Sequence, residues 1–305
     1  MSNMINPILK KLGLSETDKA VVFHADDIGV LQASVQAWSG LIEDSPMTAA
    51  SVMTPCPWFR GAAAEFVKHE NADVGVHMTL NSEWDTMRWR PLSTVDPATG
   101  LFDEEHYSPR TTEMVQENAD PNAVTVELKA QMDCALEAGI DVTHIDSHMG
   151  TLFHPKFLES YIRMGFAYQV PALILRANRD SLMQRGYSEQ IANQIEGALK
   201  FVEARGMPMF DSIVMLPLRE AQALSDRTEV AKGFIENMEP GLHYFIFHPA
   251  VAGSEIKAVA PDWEARHGDY ELFKSEEWKN IVADSDVTPV SCRQLRDVFR
   301  QNLNG

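Results

Sequence analysis

Short apolar or β-branched runs recur along the chain, separated by longer stretches in which apolar residues return at helical spacing. That alternation predicts strands and helices in turn around a parallel sheet, an α/β fold. Seven runs predict strands, at 20–23, 48–53, 73–77, 142–145, 172–175, 212–216 and 243–247. Helices are predicted between them at 31–43, 58–69, 122–138, 155–163, 188–205 and 220–236. Two more, at 263–282 and 291–301, complete the outer layer, with 302–305 as a frayed tail. No break in the pattern divides the chain, so 1–305 reads as one domain. The exception is an insertion at 81–121, which is far longer than the usual strand-to-helix connection. In a barrel, a loop that follows a strand lies on the face where active sites are built, so this one is a candidate lid or substrate wall. Trp84, Trp89 and Tyr107 fall within it, and packing the loop down is their plainer use.

Composition narrows the partners. With 305 residues and 45% hydrophobic content the chain can bury a large core. Lys and Arg number 26 against 44 Asp and Glu, a net charge of -18. Such a surface disfavours nucleic acid and anionic membrane as partners and points to a neutral or cationic small substrate. Cys56, Cys134 and Cys292 are odd in number and far apart, without the paired spacing of a zinc ribbon or a disulfide framework. The stretch 1–19 lacks the apolar core of a signal peptide, and no later run approaches membrane-spanning length, so a soluble cytoplasmic protein is expected. Charge says little about subunit number and leaves a homo-oligomer open.

The chemistry gathers at predicted strand ends. Val21-Val22-Phe23-His24-Ala25-Asp26-Asp27-Ile28-Gly29 buries apolar residues and then releases two adjacent carboxylates. Buried acids of this kind are costly without a cation, an arginine or water, which suggests a metal-dependent hydrolase; capping of the following helix is the bland alternative. His77 ends the run Asp73-Val74-Gly75-Val76-His77, where Gly75 lets another chain segment approach closely. In Thr143-His144-Ile145-Asp146-Ser147-His148, an extended backbone sets His144, Asp146 and His148 on one side. Phe245-Ile246-Phe247-His248 and Leu173-Ile174-Leu175-Arg176 end in a histidine and an arginine. Residues distant in sequence converge in space when parallel strands present them on one rim.

The ordered set of ADD followed by an apolar residue and Gly, GVH with its Thr-Leu segment, HIDSH and the late FHP resembles the YdjC-type carbohydrate deacetylase family, over about Val21 to Pro249. That family includes chito-oligosaccharide deacetylases and hopanoid-pathway relatives. The resemblance implies a single TIM-like (β/α) barrel of about seven strands, irregular or incomplete relative to the eightfold form. It implies one divalent ion on Asp27, His77 and His148, with Asp26 as general base. Two positions depart from the family pattern: His24 stands where Asn is common, and Met149-Gly150-Thr151-Leu152 replaces a histidine-rich stretch.

The activity expected from these residues is removal of an acetyl group from an N-acetylated amino sugar or a related acylated carbohydrate. His248 is the first candidate for the acid that protonates the leaving amine, and His144 the second, otherwise a substrate contact. Arg176 is expected to keep Asp26 ionised. Trp84, Trp89 or Tyr107 would offer an apolar face to a sugar ring. The ligand set suits zinc or magnesium, with manganese or cobalt also compatible. Rival readings are another barrel metal hydrolase, a phosphoesterase or cyclic-amide hydrolase, and a non-catalytic carbohydrate-binding protein.

Overall fold

The structure is a computed structural model and describes residues 5–218 and 227–304. Seven parallel strands form its sheet: β1 (Lys19–Ile28), β2 (Ala49–Val52), β3 (Val74–Met78), β4 (Val142–Ser147), β5 (Ser212–Met215), β6 (Gly241–Phe247) and β7 (Val287–Pro289). The order is β4-β3-β2-β1-β6-β5. β6 pairs with β1 along Lys19 to Ala25, while β7 pairs only with Lys19 to Val21 and β2 with His24 onward. β1 has two edges, so β7 and β2 share the one that β6 leaves.

The sheet is not closed. The gap between β4 and β5 is spanned by 171–176, of which 172–175 is predicted as a strand but is present as two isolated bridges, Ile145 to Ala172 and Leu175 to Phe210. Leu173 N–H bonds Ile145 O at 2.9 Å, and Phe210 N–H bonds Ile174 O at 2.8 Å. The segment thus touches both neighbours once without building a ladder on either. β7 has no counterpart among the predicted strands, because three residues before a helix carry too little periodicity to register.

The predicted helices occur between the strands, with shifted ends. The helix predicted at 263–282 is two, Trp263–Lys274 and Glu276–Asp284. Ser275 takes an extended conformation between them, and its side chain accepts the Trp278 N–H to cap the second. The helix at 220–236 is seen from Arg227; its first residues, like Gly305 of the predicted tail, lie outside the described residues. Residues 302–304 continue the helix Cys292–Asn304.

Alternation along the strands sorts the core into two layers. Val21, Phe23, Ala25, Val74, Val76, Phe245 and Phe247 pack outward against the helices. Ala20, Val22, Leu242 and Tyr244 belong to a separate inner cluster with Phe210 and Leu295. Continuing that inner set toward the strand C-termini brings in His24, Asp26, Ser51, His77, His144 and Asp146, all buried. The interior is therefore apolar at one end and polar at the other, and the polar end is where strands β1, β3 and β4 release their chains.

Two irregularities break the alternation where it matters. β1 carries an extra residue relative to β2 between Ala25 and Ile28, and β4 carries one relative to β3 between Val142 and Ile145. Such bulges re-aim side chains. Asp27 has φ 62, a left-handed conformation that Asp tolerates better than most residues, and Gly29 follows at φ 91. Asp26 and Asp27, neighbours that a regular strand would send to opposite faces, consequently both reach His77 Nε2, at 3.9 and 3.2 Å.

Candidate metal centre

Asp27 Oδ1, His77 Nε2 and His148 Nδ1 form a nearly equilateral triangle, with each of its three separations 3.2 Å. Donors bound to one ion at about 2.0–2.1 Å stand about 3.0 Å apart in an octahedral face and about 3.4 Å apart in a tetrahedron. The observed spacing falls between the two. All three residues are buried, and Asp27 Oδ1 accepts no well-aligned hydrogen bond. A buried carboxylate oxygen facing two imidazole nitrogens without a donor is the arrangement that a divalent cation resolves, so this donor set fits one.

The outward nitrogens of both imidazoles meet carboxylates. His77 Nδ1 lies 2.9 Å from Asp146 Oδ1, and Ser51 Oγ donates to the other oxygen of Asp146 at 2.9 Å. His148 Nε2 lies 3.0 Å from Glu83 Oε2. A hydrogen on each outward nitrogen, given by His77 to Ser51 Oγ at 3.1 Å and by His148 to Glu83, leaves the inward lone pairs, Nε2 of His77 and Nδ1 of His148, aimed at the centre of the triangle. The negative charge gathered here favours a positive occupant. Burial opposes protonation of His148, yet Glu83 and Asp27 raise it to about 9.

The two aspartates are electrostatically distinct. Asp27 Oδ2 accepts from Arg266 Nη1 at 2.7 Å, and despite burial this guanidinium holds the carboxyl well below its usual range. Asp26 has no such partner: burial raises it to about 7. Its Oδ1 meets His24 Nδ1 at 2.6 Å, and its Oδ2 is 3.9 Å from His248 Nε2. His248 donates its backbone N–H to Asp269 at 2.8 Å, burial lowers its imidazole to about 4, and its Nδ1 has no hydrogen-bond partner.

Several sequence expectations need correction. Arg176 pairs with Asp211 at 2.8 Å and Glu203 at 3.3 Å, at the edge of the 171–176 segment; the guanidinium beside the paired aspartates is Arg266, and it bonds Asp27 rather than Asp26. His144 does not share a site with His148. The β4 bulge turns it into the interior, where its ring nitrogens meet His24 Nε2 and Thr143 Oγ1 and are not presented to a substrate. Trp84 and Trp89 are 4% and 3% exposed. They pack edge to face with Met53 and Cys56 nearby, and Trp89 Nε1 donates to Asn81 O, so they anchor the insertion instead of offering an open platform. Tyr107 lies under the guanidinium groups of Arg88 and Arg90.

Glu83, Asp146, Ser51 and Arg266 complete the centre and were not assigned roles from the sequence. Asp146 was visible as part of the alternating 144, 146, 148 set, and Ser51 as a polar residue inside an apolar run. Glu83 and Arg266 gave no signal, being one acid in a polar loop and one base on a helix.

A parallel α/β sheet that gathers a carboxylate and two imidazoles at its strand C-terminal edge defines an open-barrel protein with a candidate single-ion centre. Comparison narrows the class: the chain belongs to the YdjC-like protein family, whose model matches residues 20–284. It is 29% identical to a carbohydrate deacetylase of Thermus thermophilus over 303 residues, covering 96% of this chain and 99% of that one. A carbohydrate deacetylase of Thermoanaerobacter pseudethanolicus is 20% identical over 88% of this chain and 96% of its own. A crystal structure from Enterococcus faecalis V583, provisionally described as a cellobiose-phosphate cleavage protein, superposes with a TM-score of 0.73 at 18% identity over 92% of this chain and 99% of that one. That likeness establishes the fold and agrees with a TIM-like barrel.

Proposed function

We propose that the protein is a metal-dependent carbohydrate deacetylase that hydrolyses the acetyl group of an N-acetylated amino sugar or oligosaccharide. The observation that carries this reading is the 3.2 Å triangle of Asp27, His77 and His148 beside a second, differently tuned carboxylate. Family membership and the deacetylase relatives support the choice of substrate class. A divalent ion held by Asp27, His77 and His148 would polarise the acyl carbonyl and lower the pKa of water bound beside it. Two nitrogens and one oxygen favour zinc among the candidates.

The residues around the triangle divide the remaining work. Ser51, oriented by Asp146, and Glu83 fix the imidazole tautomers, and Arg266 holds Asp27 ionised. Asp26, with Oδ1 occupied by His24, presents Oδ2 to take the proton of the attacking water. His248, 3.9 Å from that oxygen, is placed to receive the proton and return it to the departing amine. Glu83 brings the 81–121 insertion to the rim, making it one wall of the site. The substrate is a small carbohydrate and the working compartment the cytoplasm.

Acetate release from N-acetylated mono-, di- and trisaccharides, after chelation and add-back of zinc, magnesium, manganese or cobalt, tests the proposal. Activity should vanish on chelation and return with one of these ions. Asp27→Ala should lose both metal and activity, and Asp26→Asn should keep the metal and lose rate. Phosphate release in place of acetate from phosphorylated sugars, or sugar binding without turnover, would overturn it.

A further inference from the structure

The triangle is enclosed on nearly every side. Among residues within two chain positions of Asp27, His77 or His148, all are buried except Met149, which is 39% exposed, and the half-buried Gly150. The insertion covers its share: Trp89 packs against the His148 ring at 6.3 Å and Trp84 lies under the Arg266 guanidinium at 5.4 Å, and both tryptophans are buried. The wall therefore opens beside His148, and Met149 stands at the opening.

Nothing in the packing explains this methionine. It joins none of the three apolar clusters. Its backbone is left-handed as well, at φ 53 and ψ 13, a conformation that a residue with a Cβ disfavours. Gly150, at φ 66, meets the same demand without a side chain. Glycine at 149 would serve the turn and leave no apolar group in water.

The loop nonetheless has one defined course. Leu152 N–H bonds Ser147 Oγ at 3.0 Å, while Thr151 Oγ1 donates to Asn81 Oδ1 and lies 3.2 Å from His148 O. Phe153 covers Gly150, where a Cβ would stand 3.2 Å from its ring. Lys156 Nζ donates to Gln116 O at 2.9 Å, tying the following helix to the insertion. Met149 is thus an unpacked apolar side chain on a clamped loop, one residue after a member of the triangle. Backbone strain that is held in place without any gain in packing points to contact with a ligand.

We propose that Met149 is a specificity-determining residue whose thioether lies against the C–H face of the sugar ring that bears the scissile acetyl group. The inference deepens the deacetylase reading and rests on it. An acetyl carbonyl drawn to the ion leaves its sugar ring just outside the triangle, at the opening that Met149 borders. A pyranose carries hydroxyls around its edge and C–H bonds on its faces, and an unbranched, polarisable thioether adapts to such a face. The buried tryptophans cannot supply that surface.

Met149→Gly removes the thioether and relieves the backbone, Met149→Asn keeps a side chain without apolar surface, and Met149→Leu restores the surface. With metal-loaded protein and N-acetylated mono-, di- and trisaccharides, Met149→Gly and Met149→Asn are expected to lower kcat/KM about tenfold, through KM with kcat kept, the scale of leaving one or two methylenes in water. Met149→Leu should recover most of the loss. Bound metal should not change, and the Tm of Met149→Gly should equal or exceed that of wild type. Wild-type KM in both Met149→Gly and Met149→Asn would overturn the proposal. A KM raised only together with a lowered Tm or lost metal would make Met149 a structural residue and overturn it too. If the wild type releases no acetate from any of these sugars, the deacetylase reading fails and this inference falls with it; wild-type turnover with an unmoved KM in the variants refutes the contact alone.

Discussion

Single residues decide how two adjacent carboxylates acquire different roles. Asp27 is held ionised by Arg266 and aims Oδ1 at two imidazoles, whereas Asp26 has imidazoles and carboxylates around it and is raised by burial. Removing the guanidinium would strand Asp27 in a dry interior. Arg266→Met should therefore destabilise the metal-free protein by about 3–5 kcal/mol, the cost of leaving one partner of a buried ion pair unpaired; a loss under ~1 kcal/mol in urea unfolding would contradict that pairing. Glu83 and Asp146 act one step further out, on the far nitrogens of His148 and His77. Glu83→Gln and Asp146→Asn should each weaken metal affinity about 10–100-fold while leaving all three ligands in place. Competition against a chelator measures this, and unchanged affinity in both variants would remove the two carboxylates from the account of the centre.

At the scale of elements, the insertion at 81–121 is tied to the barrel by a buried acid. Glu127 of the helix Pro121–Glu137 accepts the backbone N–H groups of Leu92 and Ser93 at 3.0 and 2.8 Å, and also bonds Gln131, which bridges both backbone groups of Thr79. Glu127→Ala removes the acceptor for two loop amides and should make the insertion exchange hydrogen faster and cut more readily with protease. Unaltered protection around Leu92 would show that the tryptophan anchors suffice.

The C-terminal helix is fastened differently. Arg293 and Arg296 both bond Asp141, just ahead of β4. Partial burial works against its charge, but these two guanidinium groups hold Asp141 below the ordinary carboxylate range. A depressed folded pKa stabilises above the unfolded value of about 3.9 and loses that contribution as pH falls through the folded one. Wild type should accordingly exceed Asp141→Asn in stability at pH 7, by ~1 kcal/mol or less because the carboxylate is largely exposed, and the gap should close below about pH 4. Denaturant unfolding across that range checks the sign.

For the whole molecule, the strand-helix alternation was legible because strands buried on both faces read as unbroken apolar runs. The convergence of Asp27, His77 and His148 was legible for a related reason: parallel strands that end at one edge of a sheet put their last residues on one rim. What periodicity could not show is anything that breaks it. The two bulges decide that Asp26 and Asp27 share a side and that His144 turns away from His148. Arg266 reaches Asp27 from 239 positions away in sequence, a pairing that no local pattern encodes. The segment 172–175 reads as a strand because its composition is that of one, but it bridges a gap and builds no ladder.

The left-handed backbone at Asp27 limits what evolution or an engineer can put there. Most side chains resist that conformation, β-branched ones above all, while Gly fits but brings no donor atom. Asn alone among the uncharged residues accepts the geometry and still offers an oxygen. The Asp27→Asn protein is thus the natural inert scaffold for capturing an uncleaved sugar, with the local chain path preserved, the ionic grip released and Asp262 left as the carboxylate that holds Arg266.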